Sequence, residues 1–270
     1  MSNLVTRALA GIVFIVLIIG SLLLGSLTFG ILFLLITIGC MTEFYRMVQQ
    51  SQLYPSKIAG ILIGISIFTG SFAIASGKID STVAFVLFPL LIILFVVELY
   101  RKKEKGTENV AVGVLWIIYI VLPFSLSNFI VFGANHEYSS KYMIALLVLI
   151  WTYDTFAYIF GITLGKHRLF VRISPKKSWE GAIGGALATI CSSLLYTKFI
   201  PEVSCLHWII LSALVIIVST YGDLSESLMK RQFMVKDSGS LIPGHGGLLD
   251  RFDSLLFAAP VFACYLKLIL

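Results

Sequence analysis

The sequence predicts an all-α polytopic membrane protein with about nine transmembrane helices. Three observations lead there: the composition, a series of long apolar runs, and the placement of the basic residues. Of 270 residues, 58% are hydrophobic and only 13% charged. Soluble domains carry roughly 25% Asp, Glu, Lys and Arg, so this chain has about half the charge needed to cover a water-facing surface. The composition excludes a soluble globule, a disordered chain and a collagen-like fibre. The runs are continuously apolar rather than alternating, which excludes a transmembrane β-barrel.

A bilayer-spanning helix needs roughly 17–25 mostly apolar residues. Nine stretches qualify, at about 8–24, 27–44, 58–76, 82–100, 110–132, 142–164, 179–198, 204–222 and 254–270. The first is too long for a signal-peptide core and lacks a cleavage pattern, so it reads as a retained anchor. Only Gly25 and Ser26 separate it from the second, as a tight helical hairpin requires. Bases mark the remaining boundaries: Arg46 and Lys57 after span two, Lys78 after span three, and Arg101 to Lys105 after span four. Lys141 precedes span six, Lys166 to Lys177 follow it, and Lys198 closes span seven. With the N-terminus inside, sixteen of the twenty Lys and Arg fall on the cytoplasmic side and four on the other. The positive-inside rule therefore puts the N-terminus in the cytoplasm and the C-terminus outside, which expects a protein of the cell (inner) membrane. Two regions are expected: residues 1–108, spans one to four, as scaffold and oligomerisation surface, and residues 109–270, spans five to nine, as the part carrying the chemistry.

Cys40, Cys191, Cys205 and Cys264 lie in or beside apolar runs with no CxxC pair, so they read as small buried hydrophobes rather than zinc ligands or disulfides. No internal repeat points to an inverted-repeat transporter. The net charge of +6 favours anionic ligands at any water-facing site.

The longest polar segment, 221–253, holds Asp223, Glu226, Asp237, Asp250 and Asp253 among four bases. Asp223, Glu226, Ser227 and Lys230 follow an i, i+3, i+4, i+7 pattern on a helix leaving span eight, and Asp250 and Asp253 an i, i+3 pattern at the start of span nine. The loop between them has four glycines from Gly239 to Gly247, which let backbone N–H groups approach a ligand. Two carboxylate pairs across such a loop suit a hard cation such as Mg²⁺, which takes a few carboxylates plus phosphate oxygens. A solvated interface with helix-capping acids is the plainer alternative. The second cluster, 165–181, contains Lys166, Arg168, Arg172, Lys176 and Lys177. Pro175 presets a turn at Ser174, leaving Lys176 and Lys177 just before the N-terminus of span seven, where they oppose the helix dipole unless an anion binds. Asp154, inside span six, is either a site residue or a structural hydrogen-bonding partner. His136 and His207 are expected to be bystanders, and Glu43, Arg46 and Glu98 to serve as interfacial caps. Gly161 to His167 approximates a P-loop but is one residue short and lacks the closing Ser/Thr.

These motifs together resemble the phosphatidate cytidylyltransferases (CDP-diacylglycerol synthases). Ser227-Leu-Met-Lys230-Arg231, Lys236-Asp237-Ser-Gly239 and Pro243-Gly-His245-Gly246-Gly247-Leu-Leu-Asp250-Arg251-Phe-Asp253 match that family's signature, and Gly222 to Ser227 and Ser174 to Lys177 also look like it. The likeness is specific over roughly residues 150–253. It implies condensation of CTP with phosphatidic acid to give CDP-diacylglycerol and pyrophosphate, on Mg²⁺ with a monovalent cation such as K⁺ beside it, in a homodimer among membrane lipids and with no nucleic-acid partner. It further implies that Asp223 and Asp250 are metal-centred acids, with Glu226 and Asp253 in or near the metal's shell. Lys230 and Arg251 would act in catalysis, and Ser174, Lys176, Lys177, Ser227, Arg231, Lys236, His245, Gly246 and Gly247 would hold the phosphates. The alternatives are a CTP-dependent lipid-alcohol (polyprenol) kinase and a non-enzymatic anion transporter. A CDP-alcohol phosphotransferase is disfavoured, because its run of spaced Asp and Gly residues is absent.

Overall fold

A computed structural model describes residues 3–133, 135–241 and 246–270. Nine helical segments make up most of it: α1 (Asn3–Leu24), α2 (Ser26–Gln49), α3 (Lys57–Ala75), α4 (Ser81–Tyr100), α5 (Gly106–Val131), α6 (Lys141–Leu164), α7 (Trp179–Phe199), α8 (Cys205–Gln232) and α9 (Leu249–Ile269). Eight are long and apolar enough to cross a membrane, and α1 contributes a shorter apolar stretch, Leu9–Leu24. The protein is thus an integral membrane protein of the expected all-α class. Its surface agrees: Leu17, Phe85, Leu99 and Leu187 are exposed where a soluble protein would carry polar groups.

Span eight runs past 222 as helix to Gln232, and α9 starts at Leu249, so both acidic patterns sit on regular helix as their i, i+3 spacing predicts. One detail corrects the sequence reading. Ser174 and Pro175 form no turn. Ser174–Ser178 is a strand, β2, paired antiparallel with β1 (Arg168–Phe170) through Arg168–Ser178 and Phe170–Ser174. A two-stranded ribbon has only edge strands, which tolerate proline where its nitrogen faces away from the partner strand.

By contact the chain divides into one unit of residues 1–140 and 232–252 and a second of 141–231 and 253–270.

The first unit packs Phe33 edge-on to Phe124, with ring centroids 6.2 Å apart, and Phe124 against Phe252 at 5.5 Å. Several of its buried polar side chains are paired, as a low-dielectric interior favours. Asn128 donates to Ser71 Oγ at 2.7 Å, and Glu98 accepts from Asn109 at 2.9 Å and from Arg101 at 2.6 Å. Glu98 is therefore held inside the fold rather than at a solvated interface. Within α5, Ile117–Val121 widens to a π-helical turn immediately before Pro123, whose ring cannot donate to the Tyr119 carbonyl.

The second unit rests on close approach of α6 and α7. A Cβ added at Gly181 would lie 2.6 Å from the Ala157 carbonyl oxygen, and one at Gly185 would lie 2.9 Å from both Ala157 N and the Tyr153 carbonyl oxygen. Small residues at such spacing let membrane helices touch along their backbones. The hairpin is fixed to the same pair: Ser178 Oγ caps α7 by accepting from Gly181 N, and Glu180 accepts from Lys166 N and His167 N and pairs with His167 Nδ1 at 2.6 Å.

Candidate active site

Helix packing in the second unit leaves a cavity of about 600 Å³ lined by α6, the β-hairpin, α7 and α8. Asp154, Arg168, Lys176, Lys177, Thr220 and Asp223 are among its polar lining residues. Asp154 comes from mid-α6 and lines this cavity. Lys177 Nζ pairs with Asp223 Oδ2 at 2.6 Å, and Ser227 Oγ donates to Asp223 Oδ1 at 3.3 Å. Tyr153 and Thr220 hydroxyls lie 2.6 Å apart at the cavity wall. Asp154 and Asp223 are both near enough to act electrostatically on Asp253.

Not every expected residue faces this cavity. Glu226 is fully buried and pairs with Lys230 one turn further along α8, which satisfies both charges away from water. Ser174 is half-buried and Arg231 exposed, neither among the cavity-lining residues. Among the described residues, no three His, Cys, Asp or Glu side chains are grouped to hold a metal. The donor chemistry still suits Mg²⁺, which binds through one or two carboxylates and completes its shell with water and substrate phosphates.

A smaller apolar cavity of about 290 Å³ adjoins the first, sharing Tyr153, Leu169, Ala182 and Thr220 with it. Trp179, Ile183, Ile217 and Tyr221 on its wall are all more than half exposed. A polar chamber thus continues into an apolar one between α7 and α8.

The glycine loop belongs to the first unit and is organised by two carboxylates. Asp250 Oδ2 accepts from Ser238 N at 3.0 Å, Ser238 Oγ at 3.0 Å and Gly247 N at 2.8 Å. Gly246 has φ +87°, and a Cβ there would also press on Asp250 Oδ2 at 2.8 Å. The second carboxylate is Glu43 from α2, 4% exposed, which accepts from Leu248 N and Leu249 N at 2.9 Å each and from Ser238 Oγ at 3.1 Å. The sequence reading set Glu43 aside as an interfacial cap. The available signal was its position just inside an apolar run, where an acid is costly. Lys236 and Arg251 are exposed on this loop and its helix, and His245 lies outside the described residues.

A family model described as the cytidylyltransferase family matches residues 5–269. The chain belongs to that family. It is similar to the phosphatidate cytidylyltransferase of Bacillus subtilis, at 30% identity over 260 residues covering 96% of this chain and 94% of the relative. The phosphatidate cytidylyltransferase of Haemophilus influenzae is 30% identical over 83% of each chain. That of Thermotoga maritima is 36% identical over 180 residues, 64% of this chain and 66% of the relative. Membership makes the protein a membrane-embedded nucleotidyltransferase. The cavity of the second unit carries Arg168, Lys176 and Lys177 beside Asp154 and Asp223 on its walls.

Proposed function

We infer that this chain transfers the cytidylyl group of CTP to phosphatidate, giving CDP-diacylglycerol and pyrophosphate. The observation that carries this is the family match across 5–269, with curated phosphatidate cytidylyltransferases aligning along nearly the whole chain. The resemblance of the sequence motifs within that match points the same way.

In this reaction a phosphate oxygen of the lipid attacks the α-phosphorus of CTP, and the bond to the bridging oxygen breaks as pyrophosphate leaves. A phosphate monoester has a second pKa near 6, so the nucleophile is largely dianionic at neutral pH and requires no dedicated base. The difficulty is to bring anions together. Lys176, Lys177 and Arg168 on the cavity wall lower that barrier by neutralising and orienting the phosphates. Lys177 has an added part: its ammonium, paired with Asp223, can pass to an arriving phosphate while Asp223 turns to the cation. Asp223 with Asp154 or Asp253 would hold Mg²⁺ in the second unit, where it would supply charge neutralisation for the phosphates; the motif resemblance adds Asp250. The same resemblance gives Lys230 and Arg251 catalytic roles and Ser174, Ser227, Arg231, Lys236, His245, Gly246 and Gly247 phosphate-binding ones, a K⁺ beside the Mg²⁺, and a homodimer, whose interface we assign to spans one to five.

The apolar cavity beside the polar one suits the acyl part of phosphatidate, whose headgroup must reach the lysines while its chains stay in hydrocarbon. The basic residues support a cytoplasm-facing site in the inner membrane, where CTP arrives from one side and the lipid laterally. The test is direct. Purified protein should release pyrophosphate only when CTP, phosphatidate and Mg²⁺ are all present; release without the lipid, or none with all three, would refute the proposal.

A further inference from the structure

We propose that Glu43 is a positioning residue for the nucleotide-binding loop, setting the Asp250 carboxylate through the hydroxyl of Ser238 and the first turn of α9. This rests on the reading that Asp250 serves the metal-nucleotide site. Glu43 lies almost two hundred residues upstream of that loop, yet it is the acceptor around which the loop is built. One oxygen takes Leu248 N, the other Leu249 N and Ser238 Oγ. The Leu248 and Leu249 N–H groups belong to the start of α9, where a helix has no carbonyls of its own to offer them. Burial makes an external acceptor necessary there.

The link to Asp250 is one atom long. Ser238 Oγ stands 3.1 Å from Glu43 Oε2 and 3.0 Å from Asp250 Oδ2, and it accepts from Asp250 N at 3.3 Å. A hydroxyl has a single hydrogen, so the two carboxylates share one donor and the placement of one constrains the other. The packing leaves no slack: a Cβ at Gly247 would collide with Ser238 Oγ and Glu43 Oε2, and one at Gly239 would meet Glu43 Oε1. Glutamine keeps the size of Glu43 but replaces an acceptor oxygen by an NH₂ that faces backbone donors, so it cannot reproduce the set.

A clamp needed only for folding would lower the active fraction and leave the response to ligands alone. A positioning residue predicts otherwise. In folded Glu43→Gln protein without substrates, amide exchange at Leu248 and Leu249 should quicken at least tenfold. In turnover assays, the Mg²⁺ concentration for half-maximal rate and the KM for CTP should each rise several-fold while the KM for phosphatidate stays put. Ser238→Ala retains both carboxylates and should shift Mg²⁺ response and CTP KM in the same direction, which keeps the test open if Glu43→Gln folds poorly. Unchanged exchange in Glu43→Gln, or a fall in kcat alone in both variants, would overturn the proposal. A wild-type Mg²⁺ response in Asp250→Asn would instead overturn the reading beneath it, and the exchange measurement would still decide whether Glu43 holds the loop.

Discussion

Asp223 illustrates how much a single carboxylate can be asked to do in a low-dielectric site. It lines the polar cavity, pairs with Lys177 at 2.6 Å and accepts from Ser227. Replacing it by asparagine preserves shape and the contact with Ser227 but removes the charge that a cation and Lys177 both need. Asp223→Asn should reduce Mg²⁺-dependent turnover by at least a hundredfold, about 2.7 kcal/mol of transition-state stabilisation, while the protein remains monodisperse in detergent. Near-wild-type turnover would remove Asp223 from the metal's shell. Lys177→Ala should raise the KM for CTP or phosphatidate more than it lowers kcat; unchanged kinetics would return Lys177 to an anchor of topology. At this scale the sequence was informative about identity and poor about pairing. The motifs named Asp223, Lys177 and Asp250 as chemical residues, but Glu226 is committed to Lys230, and Glu43 joins a loop more than 190 residues away. A long-range contact leaves no periodicity in the chain, so only the fold could reveal it.

At the scale of elements, the helices were legible because the bilayer sets their length and hydropathy together. Their ends were less so: α8 and α9 continue as helix through acidic segments that, judged by hydropathy alone, had left the membrane. The hairpin was missed since Pro175 reads locally as a turn, whereas its place in a two-stranded ribbon depends on pairing with Arg168–Phe170. The α6–α7 contact was missed too, because small residues in an apolar run look like weak helix formers until a neighbour approaches. That contact yields a prediction. Gly185→Leu would push a side chain into the Ala157 and Tyr153 backbone. It should destabilise the protein by about 1–3 kcal/mol, the usual cost of overpacking, seen as a lower thermal-inactivation midpoint in detergent; no change would show that the two helices are free to separate there.

For the whole molecule, the membrane accounts for both the composition and the division of labour. Scarce charge is concentrated where apolar helices end, and in the proposed function the basic residues that would orient the chain are also those offered to phosphates. The topology follows as a prediction: in intact cells, a single cysteine replacing Lys103 should be shielded from an impermeant thiol reagent, while one replacing Lys78 should be labelled. The opposite pattern would invert the assignment of sides and move the cavity away from cytoplasmic CTP. The central claim concerns which phosphorus is attacked, and the fate of isotope decides it. Purified protein given phosphatidate, Mg²⁺ and CTP labelled at the α-phosphorus should place that label in a liponucleotide, while label at the γ-phosphorus should leave in pyrophosphate. Transfer of the γ-label to lipid, with the α-label left in CDP, would contradict the account and make the protein a kinase.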